Sequence, residues 1–441
     1  MIFFNREITK DEVEAALQNE NDVPIFDHKE KCALLQKTFF DGTHLEKEAF
    51  DANFKEETER TFKQLKQSVL VDGEDDFLNR EITKDEVEAA LQKLEYDKAF
   101  SPDNVYTDLV KRSNKALLES ITLLFQNSFE TGQLPSLWKT ANVKFIQKPG
   151  KDTYHLPGSY RPISLTSIIG KCLEKIINTR LYAFSEHTNL LDNEQEGFRE
   201  KRGTSHALLR LTQDIQDGFK VGKTTAAVFI DMEKAFNSVW RQGLLVKLHA
   251  MGIQNKMWRW LENFLEDREV SCCIGNYRSE STSTSMGLPQ GSVLSPLLFN
   301  LYLRDIFEGV QSQKVKFADD GTIWRTDAST VILENELQAD LNAITAWTSK
   351  WRMKLNTRKT EYCLFSKNQD SPADVKIRIK GEEIVRENSR GVAIYVHEKI
   401  PVDKCDILND MDFRESSWCE LRVDKQEKIL IGGIYKSPIV V

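Results

Sequence analysis

Apolar positions along the chain follow two periods, and the changes between them predict where helices give way to strands. Leu117, Leu118, Ile121, Leu124 and Phe125 recur at helical spacing until Gly132 and Pro135 end the run. The same spacing predicts helices through Leu173, Ile176, Ile177 and Leu181, through Leu208, Leu211, Ile215 and Phe219, and through Leu244, Leu245, Leu248 and Met251. Leu294, Leu297, Leu298, Leu301 and Ile306 predict a long helix opening near Pro296, and Leu337, Leu341 and Ile344 another helix. Short apolar runs at 143–146, 226–230 and 362–365 predict buried strands, and 315–318 and 322–324 flank Asp319-Asp320-Gly321 as a hairpin. Strand, helices, hairpin, helix and strand in that order predict an α+β fold, one antiparallel sheet with helices on a single face.

Before residue 109 the pattern is sparser. The fourteen residues 5–18 recur unchanged at 79–92, and nothing between the copies repeats, so the feature reads as a local duplication rather than a solenoid. Thr9 and Thr83 each precede a Glu, Glu12 or Glu86, in capping-box position, which predicts a short surface helix in each copy. A further helix is expected over about 47–71, and the acidic run 72–76 reads as a solvated linker.

Composition narrows the class. In 441 residues, 40% hydrophobic and 29% charged, the longest apolar runs are of strand length, which excludes collagen-like, fully disordered and membrane-spanning chains. Seven scattered cysteines fit neither a disulfide framework nor a zinc module. With no secretory start, the expected setting is intracellular, cytoplasmic or nuclear. The net charge of −8 hides an uneven distribution: residues 1–131 carry −12, residues 132–260 carry +8 and the rest −4. A basic middle suits a polyanion such as nucleic acid or a triphosphate, and equally a solvated face.

Three carboxylates change the picture. Asp231 directly follows an apolar strand, and Asp319 and Asp320 sit in a hairpin, so adjoining strands would bring them together. Clustered like charges are costly unless a divalent cation neutralises them, and Mg²⁺ accepts one or two carboxylates plus substrate phosphates. Asp-Asp-Gly is also an ordinary hairpin turn, and on that feature alone both readings stay open.

Six segments in order resemble the motifs of reverse transcriptases. Phe317-Ala318-Asp319-Asp320 resembles the aromatic-Ala-Asp-Asp box, 231–240 the first palm carboxylate motif, and 287–299, opening Gly287-Leu288-Pro289-Gln290-Gly291-Ser292, the loop between them. Ser159-Tyr160-Arg161-Pro162-Ile163-Ser164-Leu165, Gly197-Phe198-Arg199 followed by Gly203-Thr204, and 355–361 complete the series. Over about 79–367 the order is similar to the polymerase region of a non-LTR retrotransposon of the jockey type.

The resemblance implies a right-handed polymerase with a ferredoxin-like antiparallel palm sheet, and RNA-directed DNA synthesis from deoxynucleoside triphosphates on an RNA template with a DNA primer. Two Mg²⁺ ions, with Mn²⁺ as an alternative, are implied at Asp231, Asp319, Asp320 and the Met232 carbonyl. It implies Lys359 as the acid that protonates leaving pyrophosphate, and Lys148 and Arg161 on the triphosphate. Phe236 is implied under the sugar, Gln290 and Gly291 at the nucleotide, and Pro289, Ser292 and Phe317 along the template and primer floor. No membrane partner is implied.

Departures are as informative. Ser101 and Asn104 stand where relatives carry glycines, Asn237 replaces a frequent Asp, and Phe317 replaces Tyr. After residue 367 no thumb is recognisable; instead 390–396, 418–421 and 429–438 resemble strands of the exonuclease-endonuclease-phosphatase type endonuclease, without its full active-site set. The expected organisation is an acidic N-terminal segment (1–78), fingers (79–225), palm (226–370) and a linker with a partial endonuclease-like fragment (371–441). A chain without a thumb is expected to extend a primer poorly. The alternative function is a catalytically silent nucleic-acid-binding remnant or chimeric fragment.

Overall fold

A computed structural model describes residues 17–18, 22–41, 50–68, 77–94, 103, 105–111, 114–148, 153–366 and 375–386, together with the backbone of three strands between 402 and 434. β1 (Leu17–Gln18) pairs with β2 (Pro24–Ile25). α1 (His28–Phe40) and α2 (Ala52–Gln67) follow, opened by Asp27 and Asp51, whose side chains accept first-turn amides. α3 (Lys84–Gln92), α4 (Thr107–Lys111) and α5 (Lys115–Thr131) come next, and α5 stops at Gly132, left-handed at φ 65°.

β3 (Thr140–Gln147) and β4 (Tyr160–Leu165) form an antiparallel pair, followed by α6 (Ile168–His187) and α7 (Thr204–Lys220). β5 (Thr224–Ile230) leads through α8 (Ala235–Ser238), α9 (Arg241–Ala250) and α10 (Asn255–Leu265) to β6 (Arg268–Ile274), β7 (Tyr277–Arg278) and β8 (Thr282–Thr284). α11 (Ser295–Tyr302), β9 (Gln313–Phe317), β10 (Asp320–Asp327), α12 (Thr330–Lys350) and β11 (Glu361–Phe365) follow. The described chain closes with β12 (Arg378–Ile379), β13 (Glu382–Glu383), β14 (Val385–Arg386), β15 (Val402–Lys404), β16 (Ser416–Arg422) and β17 (Lys428–Ile434). No described helix is long and apolar enough to cross a membrane.

Two sheets organise the molecule. One has the order β14-β11-β5-β10-β9, antiparallel except for β14 on β11; the other runs β4-β3-β6-β7, with β8 also on β6 and a parallel β3–β6 pair. The fold is therefore α+β with mixed sheets, consistent with a polymerase-like palm. The expectation of helices on a single face is corrected. Ala226, Val228 and Ile230 share a core with Leu337, Leu341 and Ile344 of α12, whereas Ala227 and Trp324 pack with Leu211 of α7. Both alternating sets of β5 side chains are apolar, so neither face can be left to water.

Other expectations shift for local reasons. The helix expected over 47–71 is α2, capped by Asp51; 69–76, which includes the expected linker, lies outside the described residues. The long helix at 294–306 is only α11, because Lys247 Nζ takes the Tyr302 carbonyl and Lys316 Nζ those of Leu303 and Arg304, which frees the chain to turn. The second repeat forms α3 with its capping box complete. It is no mere surface helix: Val87, Ala90 and Leu91 are buried in the main core. The first repeat lies outside the described residues except for Leu17 and Gln18, which are strand.

Glu86 of α3 also receives the guanidinium of the buried Arg180, which lies 2.9 and 2.7 Å from its oxygens and donates besides to the carbonyls of Arg80 and Glu81. Burial alone would raise the Glu86 carboxyl, but hydrogen bonds from Arg180 and the Thr83 amide, with the charges of Arg180 and Arg80, hold it at about 2. With the folded value below the ordinary 4.5, this stabilisation is complete above pH 4.5 and is lost as pH falls through about 2. Arg180→Met is expected to cost roughly 2–3 kcal/mol at pH 7 and much less near pH 2. Urea melts across that range check it, and an equal cost at both ends would refute the pairing.

Candidate active site

The register of β5 and β10 sets the centre of the site. Gly321 lies opposite Ile230, so the next pair outward is Asp320 and Asp231. β9 and β10 close with Phe317 opposite Asp320, which corrects the expected Asp-Asp-Gly tip: the turn is the two residues Ala318 and Asp319, and Asp320 already belongs to the strand. Ala318 is left-handed at φ 57°. That conformation costs an L-residue roughly 1–2 kcal/mol, so the surroundings must hold it.

Asp231 is fixed from the segment before β11. Asn356 Nδ2 donates to Asp231 Oδ1 at 3.0 Å and the Asn356 amide to the Asp231 carbonyl at 2.9 Å, while the Asp231 amide donates to Thr360 Oγ1 at 3.2 Å. Met232 bridges to Leu355. Lys359 Nζ lies 4.0 Å from Asp231 Oδ2. The sequence by itself assigns no role to Asn356 or Thr360; their place in the motif that includes Lys359 is the one signal that points to them.

The carboxylates sense one another. Burial and the charge of Asp231 raise the Asp319 carboxyl, against the opposing pull of its own amide, Arg161 and Lys148. Asp320 is pushed up to about 6 by burial and by Asp319 and Asp231, with Lys359 opposing. Hard oxygen donors whose repulsion resists full ionisation fit a divalent cation. Among the described residues no group of three or more His, Cys, Asp and Glu side chains converges to hold a metal ion by itself. A set completed by substrate phosphates is compatible with that geometry.

Arg161 is exposed on β4, opposite Ile146 of β3. Lys148, just past β3, donates from Nζ to the Gly158 carbonyl at 2.8 Å. The positive charges of both oppose the rise of the Asp319 carboxyl. Residues 149–152 of the expected basic turn lie outside the described residues.

The Phe236 ring stacks on Phe299 at 4.4 Å, tilted by only 15°, and meets Phe198 edge-on at 6.3 Å. Its carbonyl accepts the Leu288 amide, which ties the 287–291 loop to α8. Gly291 sits at φ 122°, and a Cβ there would lie 2.6 Å from the Ser164 carbonyl oxygen; the Gln290 carbonyl accepts the Ser164 amide at 2.7 Å. Glycine is thus required by both dihedral angle and close approach to β4. Pro289 and Gln290 line a groove with Phe39, Pro162 and Asn237. Phe317 is half-buried at the end of β9, paired with Asp320.

Ser292 does not face that groove: it is buried, and its hydroxyl donates to Glu174, which leaves only its backbone for any floor. The Asn237 departure acquires a reason, since its Nδ2 donates to the Phe39 carbonyl at 2.8 Å. A carboxylate there would face a carbonyl oxygen with no proton to share.

Residues 146–408 match the model of the family described as reverse transcriptase (RNA-dependent DNA polymerase). The chain is 30% identical over 308 residues to the probable RNA-directed DNA polymerase from transposon BS of Drosophila melanogaster, a match covering 68% of this chain and 34% of that protein. Against the RNA-directed DNA polymerase from mobile element jockey the identity is 27% over 304 residues in Drosophila melanogaster, covering 67% and 33%. In Drosophila funebris it is 29% over 293 residues, covering 65% and 32%. The chain therefore spans about a third of the length of these curated relatives. With the family model covering more than half of its residues, the chain belongs to the reverse transcriptase (RNA-dependent DNA polymerase) family, of the non-LTR retrotransposon type.

Proposed function

We propose that this chain carries the fingers and palm of an RNA-directed DNA polymerase and joins a deoxynucleotide to a primer 3′-hydroxyl on an RNA template. The observation that carries the reading is the juxtaposition of Asp231 at the end of β5 with Asp319 and Asp320 at the β9–β10 turn, with the charges of Arg161 and Lys148 acting on Asp319.

Asp231, Asp319, Asp320 and the Met232 carbonyl would hold two Mg²⁺ or Mn²⁺ ions. When bound, such ions supply charge stabilisation for the attacking and leaving oxygens of an in-line displacement. Arg161 offers its planar fork to the triphosphate and Lys148 a point charge. Asn356 Nδ2 holds Asp231 Oδ1 and so limits rotation of that carboxylate. Lys359, whose Nζ lies 4.0 Å from Asp231 Oδ2, would pass a proton to departing pyrophosphate. Phe236 excludes a 2′-hydroxyl by bulk, while Pro289, Gln290 and Gly291 form the floor under the templating base and Phe317 supports the primer side.

On this reading 79–225 would be fingers and 226–370 palm, with β3 and β4 in the first range and β6, which pairs with β3, in the second. The antiparallel β15-β16-β17 sheet supports the reading of a partial endonuclease-like fragment; residues 390–396 lie outside the described residues. Among the described residues no helical thumb follows β11.

The test is primer extension on RNA with Mg²⁺, by residues 1–441 and by a chimera carrying a relative's primer grip and thumb after residue 367. The expected result is template-directed incorporation by the chimera, with weak extension by residues 1–441 alone. Failure of both proteins, shown to be folded, would favour the silent nucleic-acid-binding remnant. The affinity of either for primed RNA is expected to fall at least about tenfold between 50 and 200 mM salt, because a few neutralised phosphates already give that slope. A Kd flat across that range would contradict a phosphate-gripping cleft.

A further inference from the structure

The segment Glu194 to Phe198, whose last ring meets Phe236, also touches the turn that carries Asp319. It runs beside β9 as an added edge: the Lys316 amide donates to the Glu194 carbonyl at 2.7 Å and the Glu196 amide to the Lys316 carbonyl at 2.8 Å, with Gln195 bridged to Lys316 in parallel. From this edge the buried Gln195 side chain turns toward the hairpin. Its Oε1 accepts the Ala318 amide at 3.1 Å and the Gly197 amide at 2.9 Å. Two N–H donors fix which end of the side-chain amide faces the turn, and the other end, Nε2, is buried without a partner.

Gly197 completes the cradle. A Cβ on it would lie 2.4 Å from the Ala318 nitrogen, so the two backbones are in contact, and Asn300 Nδ2 holds the Gly197 carbonyl at 2.9 Å. The left-handed Ala318 is therefore pressed from one side and hydrogen-bonded from the same side, one residue before Asp319.

We propose that Gln195 is a positioning residue: its carbonyl oxygen, backed by Gly197, holds Ala318 in the left-handed conformation and so sets the direction of the Asp319 carboxylate. The proposal rests on Asp319 being a cation ligand only for its consequence, not for the brace itself. Losing the Ala318 hydrogen bond frees the turn to relax toward an ordinary conformation, which swings Asp319 away from Asp231.

The test uses the full chain and two readouts, amide hydrogen exchange at 316–320 and Mn²⁺ titration followed by electron paramagnetic resonance. Gln195→Ala is expected to speed exchange of the Ala318 amide about tenfold or more, the effect of one lost hydrogen bond. It should weaken Mn²⁺ binding several-fold and lower the melting temperature without metal by no more than the loss of its hydrogen bonds to Ala318 and Gly197 accounts for. Gln195→Glu, which keeps an acceptor at the same reach, should restore both. Gly197→Ala leaves the Gln195 side chain in place and should displace the same turn, so it carries the test if Gln195→Ala does not fold. Unchanged exchange at Ala318 in folded Gln195→Ala, or in folded Gly197→Ala where that variant carries the test, overturns the brace. Accelerated exchange with Mn²⁺ binding unaffected, in these variants and in Asp319→Asn alike, upholds the brace and overturns the cation reading of Asp319.

Discussion

Asp319→Asn is expected to lower primer extension by the thumb-completed chimera about a thousandfold or more, because the charge stabilisation at stake is several kcal/mol and each 1.4 kcal/mol is tenfold. The substitution keeps the shape of the side chain and removes its charge. In the absence of metal the variant should be no less stable than the parent, since the Asp319 carboxylate is held in a setting where burial and Asp231 both oppose its ionisation. Lost synthesis with a retained or raised melting temperature in EDTA is therefore the expected pair of results. If Asp319→Asn kept more than about a tenth of the parent rate, a margin far smaller than a lost charge of this kind should leave, the assignment of Asp319 would fail.

Phe236→Ala is expected to raise ribonucleotide incorporation relative to deoxynucleotide incorporation by about a hundredfold, near the limit of what steric exclusion of a small group supplies. The ring is well placed for exclusion because it cannot move freely: Phe299 stacks beneath it and Phe198 meets its edge. Truncation also removes that stacking, so a stability loss of about 1–2 kcal/mol and a lower total rate should accompany the change in selectivity. Phe236→Val should give an intermediate ratio. Competition between the two nucleotide types in one reaction measures it, and a ratio unchanged in an active chimera would remove Phe236 from sugar discrimination.

Much of the site is legible in the amino-acid sequence. β5 and β11 carry apolar runs, α7 and α12 have clean helical spacing, and Asp231 stands at the end of the first run while Asp320 opens the mostly polar β10. The motifs carry a family expectation that the comparisons with known proteins uphold. Less legible are the residues that orient the chemistry. Gln195 meets Ala318 across 123 positions of sequence, Asn356 meets Asp231 across 125, and Glu174 meets Ser292 across 118. A single polar residue in a loop has no period, and its partner is chosen by how remote segments pack.

The duplicated segment separates the two kinds of information. Its amino acids by themselves determine a capping threonine, a glutamate three residues on and an apolar stripe, and at 79–92 those become a capped helix. Its last two residues nevertheless adopt different conformations in the two copies. Leu91 and Gln92 end α3, with Leu91 buried in the main core beside α6. Leu17 and Gln18 are a strand, with Leu17 buried against Cys32 and Leu35 and the Gln18 amide bonded to the carbonyl of His155. Local sequence decided where a helix could start. The apolar surface and the His155 carbonyl within reach decided how the segment ended, because burial and a satisfied amide outweigh a helical preference of a few tenths of a kcal/mol per residue.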